Sequence, residues 1–504
     1  MEARASPNQR EIEGVKDDAA SVQDAEVQDR GQKESLETEG LQRSLDATGR
    51  QSPAQAEQPR RIHILGSGSI GKLVAHSLRG IANPPPITLL FHRFRLLEAW
   101  EQGKKVITIQ DDDFQTPRGG FDVELLSEVR RQHRVEIDEG QPSVYDFSDQ
   151  VKPHEAAKIL EQQRKENATE PEAQSETSEP DDQSATPARR RRRKKRAIEP
   201  EDFMSNEPIH NLIITTKAAF TVSALLSIRH RLGPQSTICF LQNGMGIIDD
   251  VNKHLFPKEE DRPNYVQGII THGVNVPPEV AERDPFFAVH AGHGTIALGL
   301  LPRSGYKPTA AITGKQELQT QSWAPSARYL LRTLTRTPVL CAVGFTPTEL
   351  LQLQLEKLAV NSILNPLTSL IDSRNGDVLF NFALTRSMRL LLAETSLVIR
   401  SLPELQSIPN ITTRFSAERL ETLVVSVAHK TRDNISSMLA DVRAGRRTEI
   451  EYINGYIVRR GEEVGIKCVV NYAIMQTVLG KCMITQREAQ ESVPMTRDLN
   501  AFSS

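Results

Sequence analysis

Residues 356–370 read Glu-Lys-Leu-Ala-Val-Asn-Ser-Ile-Leu-Asn-Pro-Leu-Thr-Ser-Leu, so Lys357, Asn361 and Asn365 recur every four positions in an otherwise apolar helical stretch. Side chains at i, i+4 and i+8 lie above one another on a helix, and an amine and two carboxamides then converge on one small volume. That set suits a small oxygenated molecule. Leu350, Leu353, Leu358, Leu364 and Leu367 would supply apolar surroundings, in which each hydrogen bond is stronger than in water. The same spacing also describes a solvated polar face, and this helix alone does not choose between the two.

A second constellation is Gly66-Ser67-Gly68-Ser69-Ile70-Gly71, preceded by the alternating run Arg61–Leu65 and followed by the helical pattern Lys72–Leu78 and the strand-like Ile87–Phe91. In G-x-G-x-x-G the first glycine permits a tight turn, the second lets backbone approach a pyrophosphate, and the third allows close helix–strand packing. Its place between strand and helix points to a dinucleotide. After the second strand, where an acidic residue would bind ribose hydroxyls, the chain reads Phe91-His92-Arg93. A guanidinium there can pair with a 2′-phosphate and no carboxylate opposes it, so the expected cofactor is NADP(H), with Arg93 ahead of Arg95 as the clamp.

The third lies between Asn434 and Gly455. A helical run opening at Asn434-Ile435-Ser436-Ser437 ends near Gly445, and Thr448 and Glu451 then have the spacing of a capping box. Glu449 would sit in the first turn of the next helix, where the positive end of the dipole favours a carboxylate. On these residues alone, simple dipole complementation accounts for it better than chemistry does.

The elements needed to position these groups follow a pattern. Strand-like runs at Leu212–Thr215, Ile238–Leu241, Val266–Ile270 and Thr295–Leu300, with a helical pattern between Ala218 and Leu232, favour an α/β, doubly wound, Rossmann-type sheet. From Thr348 to about Met483 the apolar spacing is helical, which gives a C-terminal all-helical domain. The expected division is a disordered tail over 1–60, the dinucleotide-binding domain over 61–345 with a disordered insertion at about 122–206, a helical domain over 346–490, and a second tail over 491–504.

Composition narrows the function classes. A hydrophobic content of 38 % is lean for a 504-residue chain folded throughout, in keeping with the polar tail and insertion. A net charge of −3 gives no global electrostatic case for nucleic acid or membranes, and no apolar run approaches the roughly 20 residues of a bilayer span. Four widely spaced cysteines (Cys239, Cys341, Cys468, Cys482) without zinc spacing or an export signal imply reduced thiols and a cytoplasmic setting.

Taken together these segments resemble the ketopantoate reductase (2-dehydropantoate 2-reductase) family. The resemblance runs over about residues 61–480 and includes the glycine turn, Thr216-Lys217, Leu241-Gln242-Asn243-Gly244-Met245-Gly246, the Lys357 helix and Thr448-Glu449-Ile450-Glu451-Tyr452-Ile453-Asn454-Gly455. It implies NADPH-dependent reduction of ketopantoate to pantoate, on the route to pantothenate and coenzyme A, in a cleft between the domains. By the same resemblance, Lys357 would donate to the keto oxygen, Glu449 would contact the substrate hydroxyl and assist, and Ser437 would hold the substrate carboxylate. Asn361 and Asn365 would bind substrate, and Asn243 and Lys217 would lie near the nicotinamide and substrate edge. Helical domains of the family often pair, so a homodimer is compatible with it.

Two other readings stay open. One is a family member reducing another branched 2-keto acid. The other is a catalytically silent NADP-binding regulatory or RNA-associated protein, whose one support is the run of eight basic residues Arg189–Arg196. That run would equally serve as a nuclear import signal or keep a polar loop solvated.

Overall fold

Ile62–Leu65 (β1), Ile87–Phe91 (β2) and Asn211–Ile214 (β6) are short aliphatic runs buried on both faces, the pattern of inner strands in a covered parallel sheet. A computed structural model describes residues 59–126, 198–281, 283–301 and 324–491. The remaining strands are Val106–Asp111 (β3), Phe114–Gly119 (β4), Asp122–Leu125 (β5), Thr237–Phe240 (β7), Asn264–Ile270 (β8), Gly273–Asn275 (β9), Phe287–Gly292 (β10), Ile296–Leu301 (β11) and Ala342–Gly344 (β12). Eight of the strands form one sheet in the order β12-β11-β8-β7-β6-β1-β2-β5. From β5 to β8 all neighbours are parallel, and β11 joins β8 antiparallel.

Ser69–Arg79 (α1), Phe94–Gln102 (α2), Thr221–Leu226 (α3), Ile247–His254 (α4) and Pro325–Thr335 (α5) accompany this sheet. Two apolar clusters cover its faces, one around Ile64, Leu73 and Trp100, the other around Leu65, Leu225 and Phe240. A smaller sheet, β4-β3-β10-β9, packs against α1. The sequence reading did not contain this sheet. Its strands are partly exposed, so they lack the continuous apolar signature of the inner strands.

The helical region comprises Pro347–Ile371 (α6), Phe382–Ser401 (α7), Ala417–Lys430 (α8), Ser437–Arg443 (α9), Asn454–Glu463 (α10) and Val469–Glu491 (α11). Its apolar cluster, with Leu355, Ile363, Leu391 and Ile457, surrounds α6, against which α7, α8, α9 and α11 pack. Among the described residues no helix is long and apolar enough to cross a membrane.

Two expectations are corrected here. The insertion does not begin at residue 122: Asp122–Leu125 is the parallel edge strand beside β2, and Pro200–Phe203 forms a 3-10 turn packed on it. The edge position leaves β5 only partly covered, with one buried residue among its four, which is why its composition reads as loop. The stretch Ala218–Leu232 is not one helix but α3 flanked by 3-10 turns at Ala218–Phe220 and Arg229–Arg231. Buried Arg231 spans the two sides of the excursion, donating to the Glu124 carboxylate at 2.8 Å and to the Glu207 carbonyl at 2.6 Å. Residues 1–58, 127–197, with Arg189–Arg196, and 492–504 lie outside the described residues.

Candidate active site

Helix α6 carries the lysine, and its start is encoded locally. Thr346 accepts from the Glu349 backbone N–H, the Glu349 side chain accepts from the Thr346 N–H, and Pro347 occupies the first turn where no N–H is needed. From Leu358 to Ser369 the helix is buried nearly all round because it is the centre of its domain. Pro366 removes the N–H that would reach the Ser362 carbonyl, and Asn454 Nδ2 donates to that oxygen at 2.9 Å instead. The Asn-Pro pair is thereby tied to the segment that follows Glu449.

Lys357 projects from α6 toward the ends of the sheet strands. Its Nζ donates to Asn243 Oδ1 at 2.8 Å and to the Ile270 carbonyl at 2.6 Å. Asn243 Nδ2 in turn donates to Glu449 Oε2 at 3.3 Å. An ammonium only donates and a carboxylate only accepts, so the Asn243 amide has one orientation that satisfies both neighbours. Burial pushes the Lys357 pKa down to about 8, with the negative charge of Glu449 acting the other way. Lys357, Asn243 and Asn361 share the lining of an open pocket of about 290 Å³, together with Gln242, Ile269 and Leu358.

Glu449 is buried, and its setting corrects the capping-box expectation. Thr448 and Glu451 do not form the box: Glu449 precedes a three-residue 3-10 turn, Ile450–Tyr452, and Glu451 pairs with Arg447 at 2.6 Å. So short a turn offers no α-helical N3 position for the reciprocal bond. The charge of Glu449 meets specific donors rather than a helix dipole. Oε1 accepts from the Ala218 N–H at 3.1 Å, and Oε2 lies 3.8 Å from Lys217 Nζ.

Lys217, assigned from the sequence to the cofactor edge, is bound in the structure to Asp441 Oδ2 at 2.6 Å. Burial disfavours its charge, but Glu449 and Asp441 more than offset this and its pKa is raised. Asp441 is buried on α9 and also accepts from Arg446. Ser437, exposed at the first position of α9, lies one turn before Asp441 and therefore on the same side of the helix. Its neighbour Ser436 caps α9 and meets Thr368 of α6 at 2.8 Å. Asn361 is half-buried in the pocket lining, whereas Asn365, one turn further on, is buried and lies beyond that lining.

Asp441 is not among the residues expected from the sequence, although an acid four residues after Ser437 on a helical pattern is a usable signal. Nor is Lys72. That lysine follows the third glycine and is buried, its Nζ donating to the Phe287 carbonyl at 3.0 Å; burial lowers its pKa to about 8.

The glycine turn has the shape its spacing requires. Gly66 has φ +119°, and a Cβ there would lie 2.7 Å from Thr215 Oγ1, which donates to the Gly66 carbonyl. A Cβ on Gly71 would overlap the Gly66 carbonyl oxygen, while one on Gly68 would meet nothing within 4 Å. Two glycines are thus held by the fold and the third faces open space at the start of α1, where Ser69 is the first residue and half-buried Ile70 packs on the sheet core. Gly66, Ser67, Gly71 and Lys72 line a second pocket of about 270 Å³ with Phe91 and Phe286. Arg93 stands exposed at the N-cap of α2, directly after β2, with Arg95 exposed beside it and no acidic residue between Phe91 and Arg95.

A parallel α/β domain with this turn, facing a helical domain that supplies a desolvated lysine and a buried carboxylate, defines a Rossmann-type oxidoreductase. Residues 349–481 match the family description "Ketopantoate reductase PanE/ApbA C terminal", and residues 160–303 match "Ketopantoate reductase PanE/ApbA". The chain belongs to the ketopantoate reductase family.

It is 30 % identical over 281 residues to a probable 2-dehydropantoate 2-reductase of Schizosaccharomyces pombe, covering 55 % of this chain and 75 % of that protein. It is 22 % identical over 471 residues to the ketoisovalerate reductase of Beauveria bassiana, covering 86 % of this chain and 85 % of that one. The crystal structure of a PanE/ApbA family ketopantoate reductase from Ralstonia eutropha JMP134 superposes with a TM-score of 0.51 at 14 % identity, covering 84 % of this chain and 99 % of that one, and shares the fold.

Proposed function

We propose that this chain reduces the keto group of a branched 2-keto acid with NADPH, and that ketopantoate, giving pantoate, is the substrate. The observation that carries the reading is the chain of contacts Lys357–Asn243–Glu449, which joins a pocket-lining ammonium of the helical domain to a buried carboxylate across a loop of the sheet domain.

The glycine turn fits a dinucleotide: Gly68 presents backbone to open space, while Gly66 and Gly71 tolerate no side chain. Gly66 to Gly71 would hold the pyrophosphate, Arg93 a 2′-phosphate, and Lys217 and Asn243 would border the nicotinamide; the bound cofactor supplies hydride. The chain's own residues do the rest. As the carbonyl becomes an alkoxide, Lys357 donates to that oxygen and transfers a proton to it, which stabilises the transition state more than the ground state. Asn243 keeps the amine aimed and Glu449 stabilises its charge. Asn361 and Asn365 position substrate, Ser437 takes the carboxylate, and Glu449 accepts from the substrate hydroxyl.

Ketoisovalerate is the second reading. Relatives so named in Beauveria bassiana and Gibberella fujikuroi match 86 % and 80 % of this chain, against 55 % for the Schizosaccharomyces pombe relative. Ketoisovalerate lacks the hydroxyl of ketopantoate, and a site built to bond that group discriminates strongly against its absence. NADPH oxidation with each acid, on the native protein and on Lys357→Ala, separates the readings. Turnover of ketopantoate that is lost in the variant supports the proposal; equal turnover in the variant removes it, and preference for ketoisovalerate moves the substrate. Replacing Arg93 by alanine is expected to weaken NADPH binding and leave NADH binding unchanged; equal loss of both removes the clamp.

A further inference from the structure

We propose that Asp111, His290 and His293 form a binding site for a divalent first-row transition-metal ion on the small sheet, separate from both pockets. Asp111 ends β3 and His290 lies on β10, one step beyond the parallel pair Val289 and Gln110, so the two side chains are cross-strand neighbours. His293 follows the end of β10, its ring 4.3 Å from that of His290. Each residue offers one ligand atom, and these atoms all lie within 4.8 Å of one another. His293 Nε2 and Asp111 Oδ1 are 3.0 Å apart, close to the separation of two adjacent ligands at bond lengths of about 2.0–2.2 Å around a six-coordinate ion.

The protonation pattern behind His290 is that of a metal-binding imidazole. His272 Nε2 lies 3.0 Å from the Leu340 carbonyl, which only accepts, so this nitrogen carries the proton. His272 Nδ1 receives the Gly294 N–H at 3.1 Å and is therefore an acceptor. His290 Nε2, 3.0 Å from that same Nδ1, shares it with the Gly294 N–H as a second donor, an arrangement that puts the lone pair of neutral His290 on Nδ1. Ligating histidines are held by an outer hydrogen bond from the other ring nitrogen, ordinarily to a carboxylate, carbonyl or water; here His272 Nδ1 takes that place. His272 and His290 are buried, whereas the side chains of His293 and Asp111 are 67 % and 45 % exposed, which provides an entry path and leaves coordination positions for water. Two imidazoles and one carboxylate select ions such as zinc, cobalt or nickel over magnesium or calcium.

The test uses the full chain freed of metal by chelation, titrated with ZnCl2 by calorimetry and with CoCl2 by visible absorption. The native protein should bind one ion at this site and melt at a higher temperature with zinc present. His293→Ala and Asp111→Asn, both at exposed positions, should each weaken zinc binding by about tenfold or more and abolish the cobalt spectrum and the thermal shift. His429→Ala, at an exposed histidine of α8, should bind as the native protein does. Native zinc affinity retained in both cluster variants, or no binding at millimolar zinc, would show that His293 and Asp111 form only a surface ion pair and would overturn the proposal. Because the readouts are metal affinity and melting, either result is independent of the reductase reading.

Discussion

At the residue scale the proposed chemistry centres on one amine. In the proposed reaction Lys357 must be protonated to donate to the developing alkoxide, and its pKa is lowered to about 8 by burial. The reductive rate should therefore fall as pH rises through about 8, well below the ordinary lysine range, and a pH profile of kcat/KM at saturating NADPH measures this. An unchanged rate up to pH 10 would contradict it. The sign for stability is the reverse: the folded form binds fewer protons than the unfolded form between about pH 8 and 10.5, so Lys357 costs stability most below pH 8 and less as pH rises through that window. Lys357→Ala is expected to lower kcat/KM on the order of 10²–10³, with NADPH binding retained in a fluorescence titration. The spacing of Lys357 and Asn361 was legible because the i, i+4 rule is local. The link to Glu449 was not, since Asn243 and Glu449 are 206 positions apart and only the packed loops bring them together. The capping box misled for the opposite reason: its local spacing was correct, but the turn that follows is too short to complete it.

At the scale of elements, the glycine turn separates two kinds of constraint that its motif does not distinguish. Gly71→Ala places a methyl against the Gly66 carbonyl and should destabilise the first strand–helix unit, seen as a lower melting temperature with or without cofactor. Gly68→Ala meets no protein atom, so the fold should be unaffected while NADPH affinity falls on the order of tenfold, about 1.4 kcal/mol. Equal melting temperatures and equal affinities for both variants would remove the distinction. The inner strands were readable as continuous apolar runs and the helical half from its 3.6-residue period. The edge strand β5 and the small sheet were not, because strands half-open to solvent carry mixed composition and depend on their neighbours rather than on themselves.

For the molecule as a whole, Arg231 has a topological meaning. A single guanidinium grips the strand before residues 127–197 and the segment after them, while β1, from the first side, pairs with β6, from the second, in one sheet. The sheet therefore joins, in space, two parts of the chain that residues 127–197 separate in sequence. A protease site engineered between residues 127 and 197 and then cleaved should leave both fragments co-migrating on gel filtration, with the NADPH oxidation rate of the uncut enzyme; separation of the fragments would contradict this. Genes for the parts before and after this segment, expressed apart and mixed, are likewise expected to complement one another.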